Sequence, residues 1–324
     1  MQTLPPDFLY ALQAAVGAPN VLTEPSDCWT YGYDNSRKHH LPDAVVFATQ
    51  HDQVAAVVRL CYEHAIPVTA RGRGTGTCGG SVPLRAGVVL SLERMTRIVK
   101  IDPANRVIVT EPGVTNQAVQ DAARAVGFFW PPDPTSAAFC TVGGNLAHNA
   151  AGPRAVKYGT TRENVLGLRA VTGTGDEIHT GVYTTKGVVG YDLTRLIIGS
   201  EGTLAIVTEA TLKLTPLPQT QRTLQAIYAS MTDAAAAVAR IMAQPVTPCA
   251  LEFIDGEPAR ETPSTRLSRG GCSWRPTNSL SRGCRLAGGC RLERGRGPQV
   301  TCSPAPRPDT EHESGKRTED FKCR

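Results

Sequence analysis

A glycine-rich loop constrains the fold of this chain more than any other stretch of its sequence. The segment ARGRGTGTCGGSVP, residues 70–83, contains five glycines and two arginines and offers almost nothing to a hydrophobic core. Gly74, Gly76 and Gly79 have the G-x-G-x-x-G spacing of dinucleotide-binding loops. The elements that flank the loop decide whether that interpretation holds.

These flanking elements argue against a Rossmann fold. A Rossmann fingerprint follows a strand and opens a helix, whose N-terminus receives the pyrophosphate. Here residues 80–87 contain glycines and a proline that break a helix, and the apolar run 88–92 predicts a strand. The loop therefore lies between two strands. It can still bind an anion in a nest of backbone N–H groups, with Arg71 and Arg73 adding positive charge; the alternative is a flexible surface loop.

Hydrophobic periodicity in the rest of the body predicts an α+β fold. Helices are predicted at residues 7–16, 51–64 and 116–126. Strands are predicted at residues 44–48, 67–70, 98–101, 106–110, 165–180 (a pair) and 204–214. Residues 102–105 read as a tight turn, which makes a hairpin of the strands beside it. Hairpins mixed with helices indicate α+β rather than a doubly wound sheet.

The last fifth of the chain differs in composition from the rest. The formal net charge is +5, yet residues 1–260 contain 21 basic and 22 acidic residues, so the whole excess lies in residues 261–324. That segment has no Ile, Met or Tyr and neither helical nor strand periodicity, which predicts a disordered tail. We interpret it as the out-of-frame product of a GC-rich gene; a genuine disordered basic tail is the alternative.

Several classes of function are disfavoured by the sequence. The tail holds Cys272, Cys284, Cys290, Cys302 and Cys323, but no C-x₂-C pair, and only His312 lies near them, so no metal site is predicted. The neutral body and a tail without interleaved aromatic residues argue against nucleic-acid binding. No apolar run of 18 residues and no signal-peptide pattern occur, so we expect a cytoplasmic protein without a transmembrane segment.

Four stretches combine glycine or proline with small hydroxyl residues. They are residues 71–80, 131–136, 142–152 and 199–206. One such stretch is explained by a turn, whereas four indicate a single long ligand that passes several loops. A dinucleotide has the required length.

The segments ARGRGTGTCGG, PPDPTS, TVGGNLAHNAAGPRAVKYG and IIGSEGTLAIVTEATLKL, in this order, resemble the FAD-binding domain of PCMH-type (vanillyl-alcohol oxidase) flavoproteins. Within that family the resemblance is greatest to the flavin subunit of bacterial glycolate oxidase and to its D-lactate dehydrogenase relatives. It implies a two-subdomain FAD-binding domain over residues 41–218. An N-terminal helical segment (1–40) precedes that domain, and the beginning of an α+β C-terminal FAD-linked oxidase domain (219–260) and the tail (261–324) follow it.

The resemblance also assigns the residues of an FAD site. The first stretch matches a loop that holds the diphosphate, the second lies along the flavin, the third is a loop beside the ribityl chain and ring, and the fourth contacts the adenosine end. The assigned residues are Arg71, Gly72, Arg73, Gly74, Thr75, Gly76, Thr77, Pro132, Asp133, Thr135, Ser136, Gly143, Gly144, Asn145, Asn149, Gly152, Glu201, Gly202 and Ile206. Some relatives link the flavin to a histidine of the first loop; because Thr75 matches that position, non-covalent FAD is expected.

The implied reaction is oxidation of a 2-hydroxy acid, glycolate or D-lactate, to the 2-oxo acid by hydride transfer to FAD. The implied partners are a second FAD-binding subunit and an iron–sulfur subunit, through which the protein would lie at the inner membrane. In the family, histidines, an acidic residue and often a divalent metal of the C-terminal domain act on the substrate. No such pattern follows residue 260, so no catalytic residue is assigned and we expect most of the substrate site to be lost. A catalytically inactive FAD-binding module is the alternative.

Three polar residues of these stretches also have simpler interpretations. Asp133 stands between two prolines and is expected to be a turn residue rather than a catalytic acid. His148 lies among small residues, which favours a structural hydrogen bond over a role as a base. Glu201 resembles a turn or helix cap, and only its position in GSEGT suggests more.

Overall fold

The computed structural model describes residues 4–188, 190–254 and 299–303. Its N-terminal layer is a four-stranded sheet with two long helices on one face. The elements of this layer are α1 (Pro6–Val16), β1 (Val21–Leu22), α2 (Pro25–Cys28), β2 (Ala44–Phe47), α3 (His51–Glu63), β3 (Val68–Arg71) and β4 (Val88–Ser91). The strand order is β1-β2-β4-β3, in which β2 and β3 run parallel to β4 and β1 runs antiparallel to β2.

Continuous apolar runs explain why this sheet is buried on both faces. The strands β2 and β4 read AVVF and VVLS, and every residue in them is buried. Val46 and Leu90 pack in one hydrophobic cluster with α1 and α3, whereas Val45 and Val89 pack in another with Cys28. The buried apolar stripe of α3 is Val54, Val57, Val58 and Cys61, at the i, i+3, i+4, i+7 spacing of an amphipathic helix.

The second layer is a five-stranded antiparallel sheet with four short helices and a small ribbon. Its elements are β5 (Ile98–Asp102), β6 (Val107–Thr110), α4 (Asn116–Ala125), β7 (Phe128–Phe129), α5 (Val142–His148), α6 (Ala155–Tyr158), β8 (Val165–Thr172), β9 (Glu177–Gly181), α7 (Leu193–Ile197), β10 (Ala205–Lys213) and β11 (Thr215–Pro216). The strand order is β5-β6-β10-β8-β9, and β7 pairs with β11. A hydrophobic core that contains the fully buried Trp130 lies between the sheet and the helices.

The helix α3 joins the two layers. His51 at its start lies 2.8 Å through Nδ1 from the Thr208 hydroxyl and 3.2 Å through Nε2 from the Glu177 carboxylate, both in the second sheet. One turn from its end, Arg59 donates a hydrogen bond to the Gly175 carbonyl at 3.1 Å. The apolar stripe of the same helix packs on the first sheet. The helix α3 therefore contacts both layers and helps to fix their relative position.

A third, smaller sheet contains part of the C-terminal sequence. Its elements are β12 (Leu224–Ile227), α8 (Met231–Met242), β13 (Ala250–Ile254) and β14 (Gln299–Ser303). The strand β14 pairs antiparallel with both β12 and β13. The expectation that residues 261–324 contain no strand is thus corrected at 299–303, because β14 pairs the facing edges of two strands that otherwise have no neighbour in this sheet. The rest of the predicted tail lies outside the described residues.

The predicted α+β class is confirmed. The helices expected at 7–16, 51–64 and 116–126 are α1, α3 and α4, and the hairpins expected at 98–110 and 165–180 are β5–β6 and β8–β9. The glycine-rich loop connects β3 to β4, with no helix after it, as its helix-breaking residues predicted. Among the described residues, no helix combines the length and apolar character needed to cross a bilayer.

Candidate functional site

A cleft of about 310 Å³ lies between the two layers. One wall is the glycine loop, which we define as residues 72–81, and the other is α5 with the segments beside it. The cleft is lined by Asp34, Ala70, Gly72, Arg73, Gly74, Thr75, Gly76, Thr77, Cys78, Gly80, Ser81, Pro134, Ser136, Thr141, Gly144, Asn145, Ala147, His148, Ala150, Ala151 and Glu201. Most of these residues are small, so the main chain forms much of the surface.

The glycine loop offers a row of unpaired backbone donors. Within the described residues, none of the N–H groups of residues 72–78 donates a hydrogen bond to another protein group. Two of its carbonyls are occupied, because the Asn35 N–H and side-chain amide donate to the Gly76 and Thr75 oxygens at 2.9 and 3.2 Å. Consecutive amides held in this way form a nest for an anion.

Buried polar groups fix the loop from behind. The guanidinium of Arg71 donates to the Tyr33 and Thr30 carbonyls at 2.7 and 3.2 Å, and the Asp34 carboxylate accepts from the Gly79 N–H at 2.9 Å. Burial lowers the pKa of Arg71, and this loss is partly offset by the nearby Glu93 carboxylate. The side chain of Arg71 therefore supports the loop from behind and does not line this cleft, and its assignment to the cofactor stays a prediction.

The exposed cation of the cleft is Arg73. Its side chain has no ion pair or hydrogen bond within the described part of the chain, and it lies on the cleft lining next to the unpaired amides. A basic side chain without a partner beside a nest of N–H groups suits a phosphate or another multivalent anion.

The opposite wall of the cleft is the first turn of α5. The sequence predicted a loop at Gly143, Gly144 and Asn145, but the Thr141 hydroxyl caps a helix here by accepting from the Gly144 N–H at 3.2 Å. Gly72 approaches this cap so closely that a Cβ would lie 2.6 Å from Thr141 Oγ1. The buried Nδ2 of Asn145 has no oxygen or nitrogen acceptor among the described residues, although Asn145 lines the cleft. A ligand with an acceptor atom would satisfy it.

Three chemically active side chains lie at one end of the cleft. His148 Nδ1 is 3.0 Å from Glu201 Oε1, and His148 Nε2 is 3.9 Å from the Sγ of Cys78. Glu201 adopts a left-handed backbone conformation with φ +52°, and its N–H donates to the Ala147 carbonyl at 3.0 Å. The predicted hydrogen bond of His148 is present, and its partners are separated from it by 53 and 70 positions in the sequence.

The predicted residues divide into two groups. Those that line the cleft are Gly72, Arg73, Gly74, Thr75, Gly76, Thr77, Ser136, Gly144, Asn145 and Glu201. Those that do not line it are Arg71, Pro132, Asp133, Thr135, Gly143, Asn149, Gly152, Gly202 and Ile206. The second group includes several residues that hold the walls of the cleft in position.

Asp133 and Gly152 belong to this supporting group. The Asp133 carboxylate forms an ion pair with Arg154 at 2.9 Å, and burial raises its pKa although Arg154 opposes the shift. Gly152 lies so close to Asp133 that a Cβ would lie 2.6 Å from its carbonyl carbon. The pair therefore packs the proline-rich segment against the chain after α5.

The side chains of Asn149 and Ile206 also contact the protein instead of lining the cleft. Asn149 ends α5 in the left-handed conformation, and its Oδ1 accepts from the Thr160 hydroxyl at 2.8 Å and the Arg162 N–H at 3.0 Å. Ile206 points into the hydrophobic cluster of α3 from β10. In both cases the side chain contacts other parts of the protein, and the assignment of the residue to the cofactor stays a prediction.

Sequence reasoning missed the residues that reach the cleft from distant positions. Asp34 and Asn35 lie before β2, and nothing in their local sequence connects them with a loop some forty positions later. Cys78 stood inside the motif, but its thiol was not singled out. A contact between positions so far apart in the chain leaves no periodic signal.

Comparison with known proteins identifies the ligand. The family described as FAD binding domain matches residues 42–181. Over 226 residues the chain is 44% identical to glycolate oxidase subunit GlcD of Bacillus subtilis, covering 69% of this chain and 48% of the relative. It is 44% identical to a D-lactate dehydrogenase of Anaerostipes hadrus over 222 residues, 68% of this chain and 46% of the relative. The chain thus spans about half the length of the curated relatives it matches.

Solved structures agree on the fold. Alkyldihydroxyacetonephosphate synthase superimposes with a TM-score of 0.68 at 24% identity, covering 78% of this chain and 52% of the other. p-Cresol methylhydroxylase with substrate bound superimposes with a TM-score of 0.65 at 26% identity, covering 72% and 48%. The resemblance noted in the sequence, to PCMH-type flavoproteins, glycolate oxidase and D-lactate dehydrogenase, is confirmed.

The residues of the cleft fit FAD. A dinucleotide brings a diphosphate, which suits the unpaired amides of residues 72–78 and the exposed Arg73, and acceptor atoms on its flavin and ribityl parts, which suit the unsatisfied Asn145 Nδ2. The close approach of Gly72 to Thr141 leaves no space for a side chain between the walls. FAD is therefore the cofactor of this chain.

Proposed function

Because residues 42–181 of this chain match the family described as FAD binding domain, we propose that the chain serves the FAD-dependent oxidation of a 2-hydroxy acid, glycolate or D-lactate, to the 2-oxo acid. The relatives named glycolate oxidase subunit and D-lactate dehydrogenase support this substrate class. The single observation that carries the proposal is the row of unpaired amides at residues 72–78 beside Arg73, in a domain of this family.

Different residues of the cleft bind different parts of the cofactor. The amides of residues 72–78 and the Arg73 guanidinium bind the diphosphate, and Asn145 Nδ2 donates to an acceptor of the flavin or ribityl part. Small residues on α5 let the ligand approach the main chain. The chemistry that FAD supplies when bound is acceptance of a hydride from the α-carbon of the substrate.

Partners and location are part of the same proposal. A relative from Escherichia coli, 36% identical, is also named glycolate oxidase subunit GlcD, and the word subunit supports a multi-subunit enzyme. We propose a second FAD-binding subunit and an iron–sulfur subunit as partners, in the cytoplasm or at the inner membrane through them. The FAD is bound without a covalent link, so acid precipitation of the protein should release all of the flavin.

Arg73→Ala is expected to weaken FAD binding. The guanidinium has no partner among the described residues, so its loss removes an attraction for the diphosphate without leaving another protein charge unpaired. For a solvent-exposed charge pair we expect the dissociation constant of FAD to rise about threefold to fivefold, with a smaller difference at high salt. Titration of flavin fluorescence measures it.

Arg85→Ala is the matched control for this variant. Arg85 is exposed, belongs to the same β3–β4 connection and does not line the cleft. Its loss should leave the dissociation constant unchanged. Equal affinities of the Arg73→Ala variant and the wild type would contradict the proposed position of the diphosphate.

The reaction is tested by anaerobic reduction of the bound flavin. The purified, FAD-loaded chain is mixed with glycolate, with D-lactate and, as a control without a hydroxyl group, with acetate. Loss of the oxidised flavin absorbance with a hydroxy acid, and not with acetate, supports the proposed oxidation. Flavin that stays oxidised with all three acids favours the second candidate, a catalytically inactive FAD-binding module.

A further inference from the structure

We propose that Cys78 is a modification site at which a low-molecular-weight disulfide forms a mixed disulfide, and that this adduct excludes FAD from the cleft. At this site a thiol, an imidazole and a carboxylate form a series of two contacts. Cys78 Sγ lies 3.9 Å from His148 Nε2, and His148 Nδ1 lies 3.0 Å from Glu201 Oε1. The second half of the proposal rests on the placement of FAD proposed above.

Cys78 differs from the other cysteines of the described residues. Cys28, Cys61 and Cys140 are buried, and burial raises the pKa of Cys28 to about 11 and that of Cys61 to about 12. Cys249 is partly exposed, and the one contact at its sulfur is the Gln221 side-chain amide at 3.9 Å. Cys78 is exposed and has an imidazole beside it. It therefore combines access with a base, as a reactive thiol requires.

Both partners of the thiol are held in position. His148 ends α5, whose first turn is capped by Thr141, and the chain leaves the helix through the left-handed Asn149. Glu201 is fixed by its own left-handed backbone and by the bond from its N–H to Ala147. Because the carboxylate accepts at Nδ1, Nε2 is the ring nitrogen left to receive a proton from Cys78. This is the relation of nucleophile, base and orienting group.

The reaction balances without a further oxidant. His148 takes the thiol proton, and the Cys78 thiolate attacks one sulfur of the disulfide R–S–S–R. The new bond joins Cys78 to that sulfur, and the other sulfur leaves as a thiolate that takes the proton from His148 as RSH. One disulfide and one thiol are consumed, and one disulfide and one thiol are formed.

A bound metal ion explains the cluster less well. The three donor atoms lie within 4.8 Å of one another, which is compatible with a metal. However, Nδ1 of His148 already contacts Glu201 Oε1 at 3.0 Å, and the described residues place only these three donors together. Structural zinc sites take four protein ligands and catalytic sites three.

The adduct would lie where the cofactor lies. Cys78, His148 and Glu201 all line the cleft together with Gly74, Thr75 and Asn145. A tripeptide attached at Cys78 occupies volume in a cleft of about 310 Å³. FAD and the adduct should therefore exclude each other.

The test uses the full chain, freed of FAD, with oxidised glutathione as the probe. Since other cysteines also react, mass spectrometry of the peptide that contains Cys78 follows its modification. We expect modification about tenfold slower in His148→Gln, with a smaller loss in Glu201→Gln.

The control variant is His179→Gln. His179 is an exposed histidine bonded to a glutamate, Glu177, at 2.6 Å, but it does not line the cleft. The His179→Gln substitution should leave the rate of modification at Cys78 unchanged. A His148→Gln rate equal to that of the wild type would overturn the activation of Cys78 by His148.

Exclusion of FAD is measured separately. FAD at saturation should slow the modification at least about tenfold, the modified protein should lose FAD binding, and dithiothreitol should restore it. Modification that proceeds unchanged in the presence of bound FAD would overturn the exclusion but leave the activated thiol standing. The Arg73→Ala titration is independent of Cys78, so a failure of the exclusion and a failure of the proposed FAD placement are distinguishable.

Discussion

Replacing Gly74 by valine is expected to raise the dissociation constant of FAD by at least about tenfold. Gly74 has φ +64°, in the left-handed region, and a Cβ at this position would lie 2.7 Å from Cζ of the Arg71 guanidinium. The left-handed conformation costs an L-residue about 1–2 kcal/mol, and a β-branched side chain more. A free-energy difference of about 1.4 kcal/mol changes a dissociation constant tenfold. If the loop relaxes away from its binding geometry to relieve this strain, the dissociation constant of FAD rises by at least about that factor.

The loss should concern FAD binding more than folding. The glycine loop contributes little to the hydrophobic clusters, so it can rearrange without unfolding the sheet beneath it. Gly173→Val is the control, because a Cβ at Gly173 meets nothing within 4 Å and its φ is not in the left-handed region. Fluorescence titration of FAD with both variants measures the difference. Wild-type affinity in Gly74→Val would contradict the role of the loop geometry.

Replacing Trp130 by alanine is expected to lower the free energy of unfolding by about 3–5 kcal/mol. Its side chain is fully buried in the core of the second layer, and its indole Nε1 donates to the Asn164 carbonyl at 3.0 Å. The substitution leaves a cavity and removes the donor from a buried carbonyl. Both effects lower the free energy of unfolding.

Urea unfolding of the FAD-free protein measures this loss. Tyr191→Ala is the control, because the Tyr191 side chain is 94% exposed and its removal should change stability by no more than about 0.5 kcal/mol. A loss below about 1 kcal/mol for Trp130→Ala would mean that the core around it collapses to fill the space, contrary to the packing described.

The sequence predicted those features that depend on neighbouring residues. The helix-breaking residues after Gly79 placed the glycine-rich loop between strands, and the apolar stripe of residues 54–61 predicted α3. The strand β14 was missed because Gln-Val-Thr-Cys-Ser carries little apolar character, and its pairing with β12 and β13 is a property of the tertiary fold.

The sequence predicted residues that line the cleft, but not the residues that hold this lining in position. Glycines that let the main chain approach a ligand carry a local signature, so Gly72, Gly74 and Gly76 were found. The groups that hold this loop, Asp34 and Asn35, carry none, and the local sequence also does not show that Arg71 donates to the Tyr33 and Thr30 carbonyls. A sequence motif shows which residues are neighbours in the chain. It does not show whether a given residue contacts the cofactor or supports the wall of the cleft.

The position of α3 has a consequence for how flavin affinity can vary. Each wall of the cleft belongs to a different layer, and the layers are joined by a helix that does not itself line the cleft. The separation of the walls therefore depends in part on contacts outside the cleft, those of His51 and Arg59. Substitutions in this helix can tune flavin affinity while every residue that touches FAD stays the same.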